Sequence, residues 1–72
     1  MKQITVYVAD QCPGCRQVLP ILKKLTKKKG VKLTVVEVDK CGEPCDWVRM
    51  VPTVKVDGKV EHDVYRVLRS LQ

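Results

Sequence analysis

The sequence predicts an α/β domain, in which a strand–helix–strand unit precedes a hairpin and a last helix. Apolar residues alternate in the first segment, then recur with helical spacing, then alternate again. The chain has 72 residues, which is the length of one domain, and its apolar fraction of 44% is too high for a disordered chain. We therefore expect residues 1–72 to form one domain.

The strand–helix–strand unit occupies the first half of the chain. Residues 3–8 alternate apolar and polar side chains, which is typical of a strand. A helix is predicted from Pro13 until Gly30, because Val18, Leu22 and Leu25 recur at helical spacing. Residues 32–39 are rich in β-branched residues and predict a second strand. Such a unit is right-handed with parallel strands, so both strands end at the same sheet edge.

The second half of the chain is shorter than the first. Residues 40–51 predict at most a short helix, around residues 46–50. Residues 53–61 predict a hairpin around the Asp-Gly pair at positions 57–58. Asp63 is suited to cap a last helix. The apolar residues predicted for that helix are Val64, Val67, Leu68 and Leu71.

The net charge of +6 comes with a cluster of lysines at the end of the predicted helix. No aromatic residues interleave with them for base stacking, so we interpret the cluster as a solvated face and expect no nucleic-acid partner. Such charge could also steer the protein toward an acidic partner. The members of the cluster are Lys23, Lys24, Lys27, Lys28, Lys29 and Lys32.

The sequence predicts a cytoplasmic monomer that does not associate with a membrane. It has no apolar run of about 18 residues, the length that a membrane span requires. Residues 1–4 lack the apolar stretch and cleavage site of a signal peptide. In a reducing compartment, clustered cysteines indicate redox catalysis or metal binding more often than structural disulfides.

The first cysteine pair lies where helix geometry favours a reactive thiol. Cys12 and Cys15 form a Cys-x-x-Cys motif at the start of the predicted helix, and Pro13 suits the first helical position. Unpaired backbone N–H groups and the helix dipole favour the thiolate there, and such thiols have lowered pKa values. We predict that Cys12 is the nucleophile and that Cys15 resolves the mixed disulfide.

Two segments together resemble the thioredoxin/glutaredoxin superfamily, in particular its small glutaredoxin-like and archaeal-type thioredoxin members. The first is Asp-Gln-Cys-Pro-Gly-Cys at residues 10–15, and the second is Val-Pro-Thr-Val-Lys-Val-Asp-Gly at residues 51–58. Tyr7 matches an aromatic residue common in glutaredoxins, and Pro20 matches the proline in the thioredoxin helix. The resemblance implies a four-stranded mixed sheet in the order 2-1-3-4, with a cis Pro52 before the third strand.

The resemblance also implies an activity, namely thiol–disulfide exchange with protein disulfides. It implies a redox-active Cys12–Cys15 disulfide and no other cofactor. Its expected partners are a thioredoxin-reductase-type electron donor and, as one client, ribonucleotide reductase. The residues implied to contact the substrate are Val51, Pro52, Pro13 and Gly14, with the backbone of Val51 pairing with an extended substrate segment.

Some residues depart from the family pattern. Residues 59–63 replace the Gly-Gly and acidic pair by which glutaredoxins hold glutathione, so we do not expect glutathione use. Val6 stands where thioredoxins have a buried acid. The proton acceptor for Cys15 is therefore open. The candidates are Asp10, Glu43, Asp46 and water.

The second cysteine pair, Cys41 and Cys45, is an addition to the family pattern. These residues follow the second strand and should therefore emerge at the same sheet edge as Cys12. They could form an auxiliary disulfide, which either stabilises the short segment or exchanges with Cys12–Cys15. They could instead be free thiols, or complete a four-cysteine zinc or iron–sulfur site. A metal-binding module is thus the alternative function.

Trp47 has two interpretations. It could cover a sheet face that the short middle segment leaves bare, or it could form a platform for a substrate. The covering role is the more common one for a lone tryptophan beside a sheet. We therefore predict that Trp47 packs on the sheet.

Overall fold

One mixed sheet organises the chain. The computed structural model describes residues 1–72, and the strands lie in the order β2-β1-β3-β4. β1 is parallel to β2 and antiparallel to β3, and β3 is antiparallel to β4. The predicted order and directions are confirmed. The elements are β1 (Gln3–Val8), α1 (Pro13–Lys29), β2 (Lys32–Glu37), α2 (Val38–Cys41), a 3-10 turn (Glu43–Cys45), β3 (Thr53–Val56), β4 (Lys59–Glu61) and α3 (Val64–Leu71).

The core lies between one face of the sheet and helices α1 and α3. Every second residue of β1 faces this core, as the alternating pattern predicted. Tyr7 lies between two core residues in β1 and is not part of the core cluster, so its side chain is on the opposite face of the sheet. The central core residues are Ile4, Val6, Val18, Leu22 and Val54, each at most 1% exposed.

Helix α1 begins and ends where the sequence predicted. Cys12 is its N-cap and Pro13 occupies the first turn, where a missing N–H costs nothing. Gly30 ends the helix in the left-handed conformation, with φ of 70°. The helix continues through Pro20. None of the helices combines the length and the apolar character needed to cross a membrane.

The short helix predicted around residues 46–50 is wrong, because the helical residues come earlier. Helix α2 begins directly after β2, which therefore ends at Glu37 and not at Asp39. Lys40 pairs with Glu37 one turn before it, which supports a helical turn at this point. Gly42, with φ of 74°, ends α2, and the 3-10 turn follows. Residues 47–52, between the 3-10 turn and β3, form no helix or strand.

The hairpin turn carries a carboxylate that ties the sheet to the N-terminus. Asp57 has φ of 50° and Gly58 has φ of 88°, so both turn positions use the left-handed region. The carboxylate of Asp57 accepts N–H groups from Gln3 at 2.9 Å and from Lys2 at 3.0 Å. These hydrogen bonds hold the pKa of Asp57 below its usual value, and the one from Gln3 has the largest effect.

We expect Asp57→Asn to destabilise the protein at neutral pH but not in strong acid. A carboxyl with a lowered pKa in the folded state stabilises that state above its unfolded pKa, about 3.9, and loses this effect as the pH falls through the folded pKa. Asparagine tolerates the left-handed backbone, so the turn persists. Urea midpoints of both proteins at about pH 7 and about pH 2 measure the effect. Equal differences at both pH values would contradict it.

Candidate active site

The first cysteine pair forms a disulfide at the N-terminus of α1. The Cα atoms of Cys12 and Cys15 are 5.2 Å apart, and the two sulfurs are bonded. The backbone N–H of Cys15 points to Sγ of Cys12 at 3.0 Å. This is the contact predicted for a sulfur that caps a helix, an arrangement that in general favours a thiolate over a thiol. Cys12 is 8% exposed and Cys15 is 3% exposed, so Cys12 is the more accessible of the two sulfur-bearing residues.

Pro52 packs against the turn between the two cysteines. The Val51–Pro52 peptide bond is cis, as the resemblance implies. A Cβ atom added to Gly14 would lie 3.7 Å from Cδ of Pro52, which is an ordinary van der Waals separation, so the Pro52 ring lies next to Gly14. The predicted residues Pro13, Gly14, Val51 and Pro52 thus lie at one place, beside Cys12.

The backbone N–H and carbonyl of Val51 have no partner within the protein. No protein group forms a hydrogen bond with its N–H or carbonyl group. The neighbouring carbonyl of Met50 is already used, since it accepts the Thr53 hydroxyl at 2.6 Å. Val51 therefore retains an unpaired N–H and an unpaired carbonyl beside Pro52.

A cavity of about 250 Å³ lies behind Cys15 and contains two carboxylates. They belong to Asp10 and Glu37, whereas Glu43 and Asp46 do not line this cavity. Sequence reasoning included Asp10 among the candidates but missed Glu37. The signal was available, because Glu37 pairs with Val8 at the ends of two parallel strands. The residues around the cavity are Val8, Ala9, Asp10, Cys15, Arg16, Leu19 and Glu37.

Helix α2 is connected to the loop before Cys12. Oδ2 of Asp39 accepts the backbone N–H of Asp10 at 3.2 Å. Nζ of Lys40 lies 3.0 Å from Oε2 of Glu37. The hydrogen bond and charge of Glu37, together with the charge of Asp10, raise the pKa of Lys40 above its usual value. The second half of the chain therefore contacts the loop before Cys12 through the side chain of Asp39.

The same arrangement of motif and fold occurs in known proteins. The sequence profile of the thioredoxin domain family matches residues 2–63.

The chain belongs to the thioredoxin domain family.

One curated relative supports this assignment, and one solved structure shares the fold. Mycoredoxin 1 of Corynebacterium glutamicum is 34% identical to this chain over 62 residues, which cover 76% of this chain and 71% of the relative. The structure of thioredoxin 1 from the thermophilic eubacterium Thermosipho africanus TCF52B superposes with a TM-score of 0.73 at 20% identity. That comparison covers 96% of this chain and 89% of the other, and it shows the fold alone.

This thioredoxin domain is a dithiol–disulfide oxidoreductase. Family membership and the bonded Cys12–Cys15 pair agree on this reaction. The family implies disulfide-containing protein substrates and reductase-type partners. The predicted superfamily, fold and activity are therefore confirmed.

The four cysteines do not form a single cluster. Cys41 and Cys45 are joined in a separate disulfide, with Cα atoms 5.8 Å apart, so the interpretation as free thiols is wrong for this structure. No three histidine, cysteine, aspartate or glutamate side chains lie together in a way that could hold a metal ion. A tetrahedral site needs about four such ligands. The geometry therefore does not favour the alternative of a four-cysteine metal module.

Trp47 packs on the sheet face that carries Tyr7. The centroids of the two rings are 4.9 Å apart in an edge-to-face arrangement. Nζ of Lys55 lies 4.6 Å from the centroid of the Trp47 ring, within the range of a cation–π contact. The covering role predicted for Trp47 agrees with these contacts, although the residue is still 37% exposed.

The lysine cluster lies away from Cys12. Helix α1 has 17 residues, and at a rise of 1.5 Å per residue it is about 25 Å long. Three lysines of the cluster are in its last turn, and Cys12 is at its first. These lysines therefore complement the helix dipole and do not border the disulfide.

Proposed function

We propose that Cys12 attacks the disulfides of protein substrates and that Cys15 resolves the mixed disulfide. The observation that carries these roles is the N–H of Cys15 directed at Sγ of Cys12 at the start of α1. That contact favours the negative charge on Cys12, and the thiolate is the reactive form of a thiol. Cys15 is less exposed, and its own N–H is the group that contacts Sγ of Cys12.

The reaction transfers two electrons from the reduced protein to its substrate. The Cys12 thiolate bonds to one substrate sulfur, and the substrate disulfide breaks, releasing a thiolate that takes up a proton. Cys15 then loses its proton and attacks Sγ of Cys12. The bond between Cys12 and the substrate breaks, which releases the second substrate thiol and leaves the Cys12–Cys15 disulfide.

We assign Val51 and Pro52 to substrate binding, with Pro13 and Gly14 bordering the same place. The free N–H and carbonyl of Val51 would hold an extended segment beside Cys12. A cavity of about 420 Å³, lined by Gln11, Cys12, Pro13 and Arg16, gives the substrate sulfur room to approach. Orientation by backbone pairing brings the substrate disulfide to the nucleophile without requiring a particular side chain.

We propose that the protein needs no cofactor besides its own thiols. The segment at residues 59–63 lacks the glutathione-binding pattern, so we propose a thioredoxin-reductase-type electron donor instead. Ribonucleotide reductase as a client, the monomeric state and the cytoplasmic location stay predictions.

Trapping the mixed disulfide tests the two cysteine roles. Cys15→Ser, once reduced, is expected to form a stable 1:1 adduct with insulin through Cys12, because nothing resolves it. Cys12→Ser is expected to form none under the same conditions. Intact mass measured with and without a reductant detects the adduct. An adduct of equal yield on Cys12→Ser would refute the assignment.

We expect Glu37→Gln to slow the resolving step. Oε2 of Glu37 is shielded from solvent and lines the cavity shared with Cys15, so this carboxylate is placed to accept the Cys15 proton, directly or through water. Asp10 and Arg16 border the same cavity, and Lys40 is paired with Glu37. Loss of a positioned base lowers a rate by roughly a hundredfold.

Single-turnover release of a fluorescent peptide from the mixed disulfide measures this step across a range of pH. Glu43→Gln is the matched control, since Glu43 is an exposed carboxylate outside the cavity. Equal rates and equal pH profiles for Glu37→Gln and the wild type would exclude Glu37 as the proton acceptor.

A further inference from the structure

We propose that the Cys41–Cys45 disulfide is a second site of thiol–disulfide exchange, which a dithiol attacks at Cys41. The exchange assigned to the active site uses only Cys12 and Cys15. The second pair lies in a different segment, between α2 and the 3-10 turn, and forms its own disulfide. The reaction assigned to the first pair therefore does not account for the second disulfide.

The two sulfur-bearing residues differ in access. Cys45 is buried, at 6% exposure, whereas Cys41 is half-buried at the end of α2. Cys41 also lines an open depression of about 580 Å³ on the surface, together with Val35, Val36, Glu37 and Lys40. An attacking thiolate can therefore reach Cys41, with Cys45 as the leaving group.

The charge beside Cys41 favours this direction of attack. Lys40 precedes Cys41 in the chain and lines the same depression. Its side chain is largely exposed, at 76%, so its positive charge faces an incoming thiolate. Glu37 neutralises part of that charge through its contact of 3.0 Å with Nζ. A cation next to a cysteine also stabilises the thiolate form of that cysteine after reduction.

The exchange is balanced with a dithiol as the reductant. One thiolate of the dithiol bonds to Sγ of Cys41, the Cys41–Cys45 bond breaks, and Cys45 leaves as a thiolate that takes up a proton. The second thiol of the dithiol loses its proton and attacks its partner's sulfur. Cys41 then leaves as a thiolate. The protein gains two electrons, and the dithiol becomes a disulfide.

The local backbone makes this exchange reversible. Three hydrogen bonds hold the turn without help from the disulfide: Cys45 N–H to Gly42 O at 3.0 Å, Asp46 N–H to Glu43 O at 2.9 Å and Val48 N–H to Cys45 O at 3.0 Å. They keep the two thiols near each other after reduction, so the effective concentration of one thiol at the other stays high. In the chain-entropy model, a disulfide that closes so short a loop stabilises a fold less than one that closes a long loop, so we expect the fold to persist after reduction.

The test uses Cys12→Ser/Cys15→Ser, which removes the first pair, so its result does not depend on the function proposed for Cys12 and Cys15. The folded variant is equilibrated with reduced and oxidised dithiothreitol at a series of ratios and then alkylated. We expect the fraction with two alkyl groups to rise from none to all over roughly a hundredfold range of ratios, with an unchanged circular dichroism spectrum. Alkylation only after addition of denaturant, or only with loss of the spectrum, would overturn the proposal.

Two further measurements complete the test. The same titration on the wild type, with alkylated peptides assigned by mass, gives the result even if the double variant does not fold. With limiting 2-mercaptoethanol, a mixed disulfide is expected on Cys41. A mixed disulfide on Cys45 would overturn the assigned point of attack.

Discussion

Cys12→Ser is expected to reduce the rate of insulin reduction to that of the uncatalysed reaction. A serine hydroxyl cannot form the mixed disulfide, and no other thiol shares the position of Cys12 at the start of α1, with the Cys15 N–H directed at its sulfur. The turbidity of reduced insulin, measured with dithiothreitol as the electron donor, gives the rate. Cys15→Ser should also lose turnover, but for a different reason, since it still forms the first bond.

Two controls separate this loss of chemistry from a loss of structure. Ser70→Ala changes an exposed residue of α3, whose hydroxyl bonds only to the Arg66 carbonyl, and it should keep the wild-type rate. The circular dichroism spectrum of Cys12→Ser should match that of the wild type. If folded Cys12→Ser reduced insulin as fast as the wild type, the nucleophile would be another thiol.

β1 and α1 could be predicted from the sequence, because local patterns determine them. β1 and α1 have the ends that the sequence indicated, because alternation defines β1 and a cysteine cap with a following proline defines the start of α1. Gly30 marks the end of α1 for an equally local reason, namely its left-handed backbone. The position of Cys12 at the N-terminus of α1 follows from these same signals.

The middle segment was predicted less well, because its structure depends on contacts with distant residues. Helix α2 is only one turn long, too short to be stable from its own sequence. It is held by the Asp39 hydrogen bond to Asp10, 29 residues earlier in the chain, and the Cys41–Cys45 bond joins its last residue to the 3-10 turn. Spacing alone left that bond as one of several alternatives. Only the three-dimensional pairing of the cysteines decides among them.

Glu37 was missed for the same reason, because its position in the site depends on contacts between residues that are distant in the chain. The carboxylates predicted as proton acceptors were those near a cysteine in the sequence. Glu37 is 22 residues after Cys15, but the parallel pairing of β1 and β2 places it opposite Val8, beside the cavity. In a parallel sheet, residues that end neighbouring strands are close in space whatever their separation in the chain. The sheet topology therefore indicated Glu37, the last residue of β2, as a candidate proton acceptor.

Leu22→Ala is expected to remove a large share of the free energy of unfolding. Leu22 is fully buried, at 0% exposure, in the middle of α1 and belongs to the core cluster between the sheet and the helices. Removing such a side chain costs about 2–5 kcal/mol, through lost burial and the cavity left behind. A chain of 72 residues has a free energy of unfolding of only about 4–11 kcal/mol, so the variant should lose a large share of its stability.

Its neighbour Ile21 supplies the matched control, because it lies on the same helix and is 47% exposed. Ile21→Ala removes a similar volume but leaves no internal cavity, and alanine favours the helix, so a change of less than about 1 kcal/mol is expected. Thermal unfolding of the oxidised proteins measures the effect. Leu22→Ala should lower the melting temperature by at least about 10 °C, and Ile21→Ala should lower it by much less. Similar losses for the two variants would mean that the core does not centre on Leu22, since burial is the property that separates these two positions.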